Sequence, residues 1–217
     1  MPPTSPPGPE SGHFHAVRFY ENAEALTRIV ADFIGEGLGQ SAPALVIATP
    51  EHQGTLELQL IARGFDVARL MLVGDLTMID AETTLRKFMR NGKPDAVLFK
   101  DTMVALLARI VQGRENHTVR AYGEMVDLLW RAGHTVAAVK LEMLWNELAR
   151  SHDFALLCGY SMGNFYKDAS VEEICGQHTH VVSSSGALAP VEERASPGAS
   201  PRLRRDEEEQ EETPGAS

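Results

Sequence analysis

The sequence predicts an α/β protein, a three-layer sandwich with a mainly parallel sheet. Three observations carry this. Strand and helix signals alternate from His13 to about Tyr166, the pattern of a parallel sheet joined by crossover helices. Ala44-Leu45-Val46-Ile47-Ala48 is apolar without a break, as a strand covered on both faces must be. Glycines, prolines and Asn-Gly fall between the periodic segments and punctuate them.

The elements follow in order. Ala16 to Tyr20 reads as a first strand. Asn22 can cap a helix whose apolar positions Leu26, Ile29, Val30, Phe33 and Ile34 follow 3–4 spacing, with Gly35, Gly37 and Gly39 expected to end it. After the 44–48 strand, Thr49 and Pro50 open a helix to about Arg63. Arg69 to Val73 and Leu76 to Ile79 read as two further strands around Gly74-Asp75. A helix follows Asp80 and stops at Asn91-Gly92, and Pro94 marks the start of another, to about Val111. Thr118 to Tyr122 is a strand, Glu124 to Arg131 a helix broken by Gly133, Thr135 to Arg150 a long helix, and Phe154 to Tyr160 the closing strand.

Charge is uneven along the chain. It carries 20 Lys+Arg and 30 Asp+Glu, a formal −10. Ser183 to Ser217 holds eight acids and four arginines, a balance of −4 that leaves −6 for the rest. That stretch has no Phe, Tyr, Trp, Ile or Met, so it cannot bury enough surface to offset ordering entropy. Residues 1–12 hold five prolines. The expected organisation is a disordered leader over 1–12, a domain over 13–180 and a disordered acidic tail over 181–217. The acidic balance argues against nucleic acid, which needs clustered Lys and Arg. No apolar run approaches the ~20 residues of a membrane span, and the N-terminal residues lack the basic and apolar regions of a secretory signal. Cys158 and Cys175 make no disulfide framework. A cytoplasmic protein with free thiols is expected, and the sequence leaves the cofactor open.

Ligands of an open parallel sheet sit outside the carboxyl ends of its strands. Tyr20, Thr49, His52, Glu124, Cys158 and Tyr160 fall at such ends and define an expected ligand cleft, with His15 close by. Arg120, Glu124 and Glu142 are expected to form a buried charged network beside it, since a buried carboxylate needs a partner. Glu142 and Asn146 are four apart on the long helix and share a face. Enzyme signatures fail: there is no G-x-x-x-x-G-K-[ST] and no G-x-S-x-G, and Gly35-x-Gly37-x-Gly39 closes a helix instead of opening one. Cys158 with His52 is the one thiol-catalyst pairing to weigh, but a lone cysteine in an apolar strand is ordinarily a small buried hydrophobe. Cys175-x2-His178-x-His180 has soft-ligand character, with a fourth ligand available from His13, His15 or Cys158. Its spacing matches no structural zinc motif and it borders the acidic tail, so a solvated His-rich linker without metal is expected.

Several pieces occur together in a fixed order. They are His15 with Phe19-Tyr20, Phe33-x3-Gly37-Leu38, Ala48-Thr49-Pro50-Glu51-His52 and Asp80-Ala81-x2-Thr84-Leu85. Gly92-x-Pro94-Asp95, Gly123-Glu124-Met125-Val126, Leu141-Glu142-x2-Trp145-Asn146-x-Leu148 and Cys158-x-Tyr160 follow. This set resembles the methanogen/methylotroph sensory domain family, MEDS, over roughly His13 to His180. The resemblance implies a non-catalytic sensory domain of the kind fused to histidine kinases or other signalling modules, sensing small molecules such as hydrocarbon derivatives. No kinase, helix-turn-helix or receiver follows His180 here. The expectation is therefore a stand-alone sensory or regulatory domain that binds a small ligand and signals to a partner in trans, such as a histidine kinase or transcriptional regulator. The alternative is a ligand-free protein-interaction module, and after it a residual nucleotide- or thiol-dependent enzyme. The domain is also similar to the RecA/KaiC ATPase core without its phosphate loop. Tyr20-Glu21-Asn22-Ala23-Glu24 stands where a glycine-rich loop would be, and its acids would repel a triphosphate.

Overall fold

A computed structural model describes residues 14–114, 118–164 and 170–191. The expected leader, His13 and the part of the expected tail from 192 onward lie outside the described residues.

Seven strands form one sheet in the order β3-β2-β6-β7-β1-β8-β9. They are β1 (Phe14–Tyr20), β2 (Ala44–Ala48), β3 (Leu76–Asp80), β6 (Val119–Gly123), β7 (Phe154–Ser161), β8 (His180–Val182) and β9 (Leu188–Pro190). Every neighbouring pair is parallel except β8 with β9. Alternation along β2 shows why its run is apolar throughout. Leu45 and Ile47 join the core under α4 (Ala81–Phe88), α5 (Ala96–Val111), α6 (Met125–Arg131) and α7 (Thr135–Ala149). Ala44, Val46 and Ala48 face the other core, under α1 (Ala23–Gly39), α2 (Pro50–Ala62) and α3 (Val67–Val73). Each fully buried Val, Leu or Ile is worth roughly 1.5–3 kcal/mol, so two filled faces account for most of the drive to assemble the three layers.

Four details differ from the sequence reading. Arg69 to Val73 is not a strand but part of α3. Asp66 caps it by accepting from the Arg69 N–H, and Gly74 closes it in the left-handed region at φ 79°. Met71, Leu72 and Val73 stand exposed, so this apolar run has no second face to cover and gains nothing from pairing. Gly35, Gly37 and Gly39 lie inside α1, not beyond it. A Cβ on Gly37 would collide with Cγ of Arg120, so glycine here lets α1 approach the sheet closely. Pro94 belongs to a small hairpin, β4 (Met89–Arg90) with β5 (Lys93–Pro94), and α5 starts later, capped by Asp95. Asn91 and Gly92 both take positive φ, as a two-residue hairpin turn demands.

The fourth difference is the boundary at 180. After α8 (Ser170–Cys175), the chain returns to the sheet as β8 beside β1, and β9 adds an antiparallel edge. Val182 is buried and its carbonyl accepts from Arg18. Strand structure among the described residues therefore continues to Pro190, ten residues into the span expected as tail.

Candidate functional site

The polar residues expected in one cleft fall into two clusters and one outlier. The first cluster sits at the carboxyl ends of β1, β2 and β6. Glu124 follows β6 directly, and its N–H donates to the Ile47 carbonyl at 2.9 Å. Its buried carboxylate accepts from the Thr49 N–H at 3.0 Å and lies 2.7 Å from Nδ1 of His52. His52 reaches this position from the first turn of α2, started by Pro50. Its side chain is 11% exposed against 0% for Glu124, so the imidazole stands between a buried charge and solvent. The Tyr20 ring meets the His52 ring edge-on at 6.4 Å. Its hydroxyl donates to Asp127 at 2.9 Å, and the other Asp127 oxygen accepts from the Ser161 N–H at 2.8 Å.

The electrostatics of this cluster follow from burial beside acids. The hydrogen bond to Glu124 raises the His52 imidazole above its ordinary value, against the opposing effect of burial. Burial raises the Asp127 carboxyl, against the bonds from Ser161 and Tyr20. Burial, and then Asp127, raise the Tyr20 phenol. Tyr122, on β6, is 2% exposed and its hydroxyl makes no hydrogen bond among the described residues. Burial and the charge of Glu124 raise it well above the ordinary phenol value. Its hydroxyl lies 2.9 Å from where a Cβ on Gly159 would stand, so Gly159 makes room for it.

The second cluster lies on the opposite face of the sheet, between β1, β7, α7 and the turn after α8. His15, Glu142, Cys158 and His178 are all buried there, with one ligand-type atom from each within 4.8 Å of all the others. Nε2 of His15 is 3.2 Å from Glu142 Oε2 and 3.4 Å from Cys158 Sγ. Nε2 of His178 is 3.4 Å from Glu142 Oε1. The Tyr160 hydroxyl donates to Glu142 Oε1 at 2.7 Å. Burial and His178 lower the His15 imidazole. Burial works against ionisation of Glu142, but His178 and His15 outweigh it and hold this carboxyl below the ordinary range. Burial, then Glu142, push the Cys158 thiol well up.

Arg120 joins neither cluster. It lies near the start of β6, on the α1 face, 3.7 Å from Glu36 and stacked on Phe33 at 5.0 Å. The expected network of Arg120, Glu124 and Glu142 is thus not formed: Glu124 is met by His52 and the Thr49 amide, and Glu142 by two histidines and Tyr160. His15, Cys158 and Tyr160 stand apart from Tyr20, Thr49, His52 and Glu124. Cys158 is beside His15 and Glu142, while His52 pairs with Glu124. Of the Cys175-x2-His178-x-His180 candidates, only His178 enters the buried cluster. Cys175 is half-buried, and His180 bonds Thr179 and stacks on Phe14. Asp127 and Tyr122 were missed. Asp127 follows Glu124 by three positions, one turn further into the helix opening after β6, and that spacing was the available signal.

No curated protein matches the chain. A solved structure that resembles it is an uncharacterized protein from Pyrococcus horikoshii, crystallised in complex with an unknown peptide. The two share a TM-score of 0.51 and 12% identity, over 80% of each chain, a likeness of fold alone. At sequence level, the profile of the methanogen/methylotroph, DcmR sensory domain matches residues 14–179, most of the chain and both clusters except the last strands. The chain belongs to the methanogen/methylotroph, DcmR sensory domain family, MEDS.

Proposed function

We propose that the chain is a regulatory domain that binds a small molecule at the Tyr20–His52–Glu124 cluster and passes the signal to a separate protein. Membership of a sensory family supports the class. The observation that carries the site is the Tyr122 hydroxyl, buried near Glu124 and Tyr20 and without a hydrogen-bond partner among the described residues. A buried hydroxyl without a partner costs roughly 1–3 kcal/mol, and a ligand with one acceptor or donor would recover it. The cluster offers aromatic edges and a few fixed polar groups, the combination that orients small ligands. The size class is that suggested by the family's name, one-carbon compounds and their hydrocarbon relatives. Output to a partner in trans is supported by α7, which packs on α8 and leaves Val136 and Met143 exposed. A thiol enzyme using Cys158 with His52 is disfavoured, because each has a different close partner.

The test is a titration of isotope-labelled full-length protein with dichloromethane and with methanol, followed by two-dimensional NMR. Saturable shifts at Tyr20, His52, Tyr122 and Glu124, lost in a folded Glu124→Gln variant, are the expected result. Saturable shifts confined to another region, or none with either probe, would reject this site.

A further inference from the structure

We propose that His15, His178, Cys158 and Glu142 form a buried site for one divalent transition ion of the zinc type. This goes beyond the small-ligand reading and does not depend on it. Four separated elements bring one donor each to a common point: β1, α7, β7 and the turn after α8. His15 Nε2, Cys158 Sγ and Glu142 Oε2 stand 3.2, 3.4 and 3.6 Å apart, His178 Nε2 is 3.4 Å from the other carboxylate oxygen, and one donor from each of the four residues lies within 4.8 Å of the rest, so a small inward movement of His178 closes a tetrahedral shell. Bonds of about 2.0–2.3 Å to zinc put such donors about 3.3–3.8 Å apart.

The surroundings aim these donors inward. Nδ1 of His178 lies 2.7 Å from the Ile174 carbonyl. A carbonyl only accepts, so Nδ1 carries a proton, and in the neutral imidazole Nε2 presents its lone pair to the cluster. That Nε2 is buried and makes no hydrogen bond among the described residues. Nδ1 of His15 lies 2.8 Å from Asn146 Oδ1. The Asn146 amide is itself oriented, because its Nδ2 donates to the Gln177 carbonyl at 2.9 Å. His15 Nδ1 is therefore the donor, and its Nε2 also points inward. Imidazoles that ligate metals are held this way, each giving its far N–H to a carbonyl. Tyr160 donates to the carboxylate from outside and leaves its other oxygen toward the two sulfur- and nitrogen-bearing side chains.

Charge favours the same reading. With both imidazoles neutral and their far nitrogens protonated, two lone pairs and a carboxylate meet in a dry interior and a cation between them removes the repulsion. A divalent cation with a thiolate and a carboxylate sums to zero, which is the only affordable total in a fully buried site. Binding displaces the Cys158 thiol proton to solvent and forms the sulfur–metal bond. The mixed nitrogen, sulfur and oxygen set selects zinc and its neighbours over magnesium or calcium. All four protein donors are committed, so the ion clamps the 170–182 segment to β1, β7 and α7.

Untagged full-length protein, stripped with a chelator, is titrated with cobalt(II) and then zinc(II). The expected result is one ion per chain, with a thiolate-to-cobalt charge-transfer band and visible bands of tetrahedral intensity that zinc abolishes. Cys158→Ser loses the charge-transfer band, whereas Cys175→Ser keeps it. Asn146→Ala, which touches no metal, weakens binding by roughly 10–100-fold. Zinc also raises the melting temperature of the wild-type chain, an effect independent of any variant's folding. Absence of stoichiometric cobalt binding together with no zinc-dependent melting shift overturns the proposal. So does a charge-transfer band that follows Cys175 instead of Cys158.

Discussion

Parity decides which side chains meet. In β1, His15, Val17 and Phe19 face the α4–α7 core, while Phe14, Ala16 and Tyr20 face the α1–α3 core. β7 sets Cys158 opposite Val17, so Cys158 and Tyr160 share the His15 face. The sequence shows the parity within each strand, but the register between strands depends on the whole sheet. That is why Tyr20, Thr49, His52 and Glu124 were legible as neighbours, while His15, Cys158 and Tyr160 were grouped with them wrongly. The His52–Glu124 contact has a pH signature. The groups facing His52 are Glu124, Glu51 and Asp127, all acidic, and the Tyr20 ring. Glu124 holds the folded-state imidazole above its ordinary 6.5. A raised folded value means that the contribution is complete below the unfolded value and fades as pH rises through the folded one. The stability gap between wild type and His52→Ala, from denaturant titrations, is expected to be widest below about pH 6.5 and to narrow above it. A gap that is flat or widens with rising pH would show that His52 acts only by packing.

Elements were read well where one period governed them. Helices α1, α2, α5 and α7 have apolar spacing that can be seen in the text of the chain, with Asn22 and Pro50 marking two of their starts, and β2 has its unbroken apolar run. α3 was misread because Arg69-Leu70-Met71-Leu72-Val73 has the composition of a strand, and composition outweighed the Asp66 cap and the Gly74 stop. β8 and β9 were missed because His-Val-Val and Leu-Ala-Pro are too short for any period to register. They matter nonetheless. The Thr179 hydroxyl accepts from the His15 N–H, and its own amide donates to the His15 carbonyl, so the segment completes the hydrogen bonding of β1. A chain ended at Thr179 loses β8, β9 and the buried Val182, and its melting temperature is expected to fall by several degrees, at roughly 2–4 °C per kcal/mol for this size. A chain ended at Val191 is expected to melt within about 2 °C of full length, because residues 192–217 carry no large apolar side chain except Leu203. Calorimetry on the two truncations separates these outcomes. Equal losses would mean that the acidic segment packs on the domain.

At the scale of the molecule, the absence of nucleotide binding is the prediction. After β1, Asn22 accepts from the Glu24 and Ala25 N–H groups at the start of α1, and Glu24 lies in the first turn. The amides that would cradle a phosphate at a helix start are already occupied and flanked by acid. Calorimetric titration with ATP and magnesium is expected to give no micromolar binding. Saturable micromolar heat, abolished by replacing Glu21 and Glu24, would reverse this view. The position of β1 has a further consequence, for the order of events during synthesis. β1, the earliest strand among the described residues, sits between β7 and β8, and its contact with Thr179 spans 164 residues of sequence. Closing loops of that length is slow compared with forming local helices. Phe14 to Tyr20 must therefore wait, apolar and unpaired, until nearly the whole domain has emerged. That interval is the one in which a chaperone would find the unpaired strand.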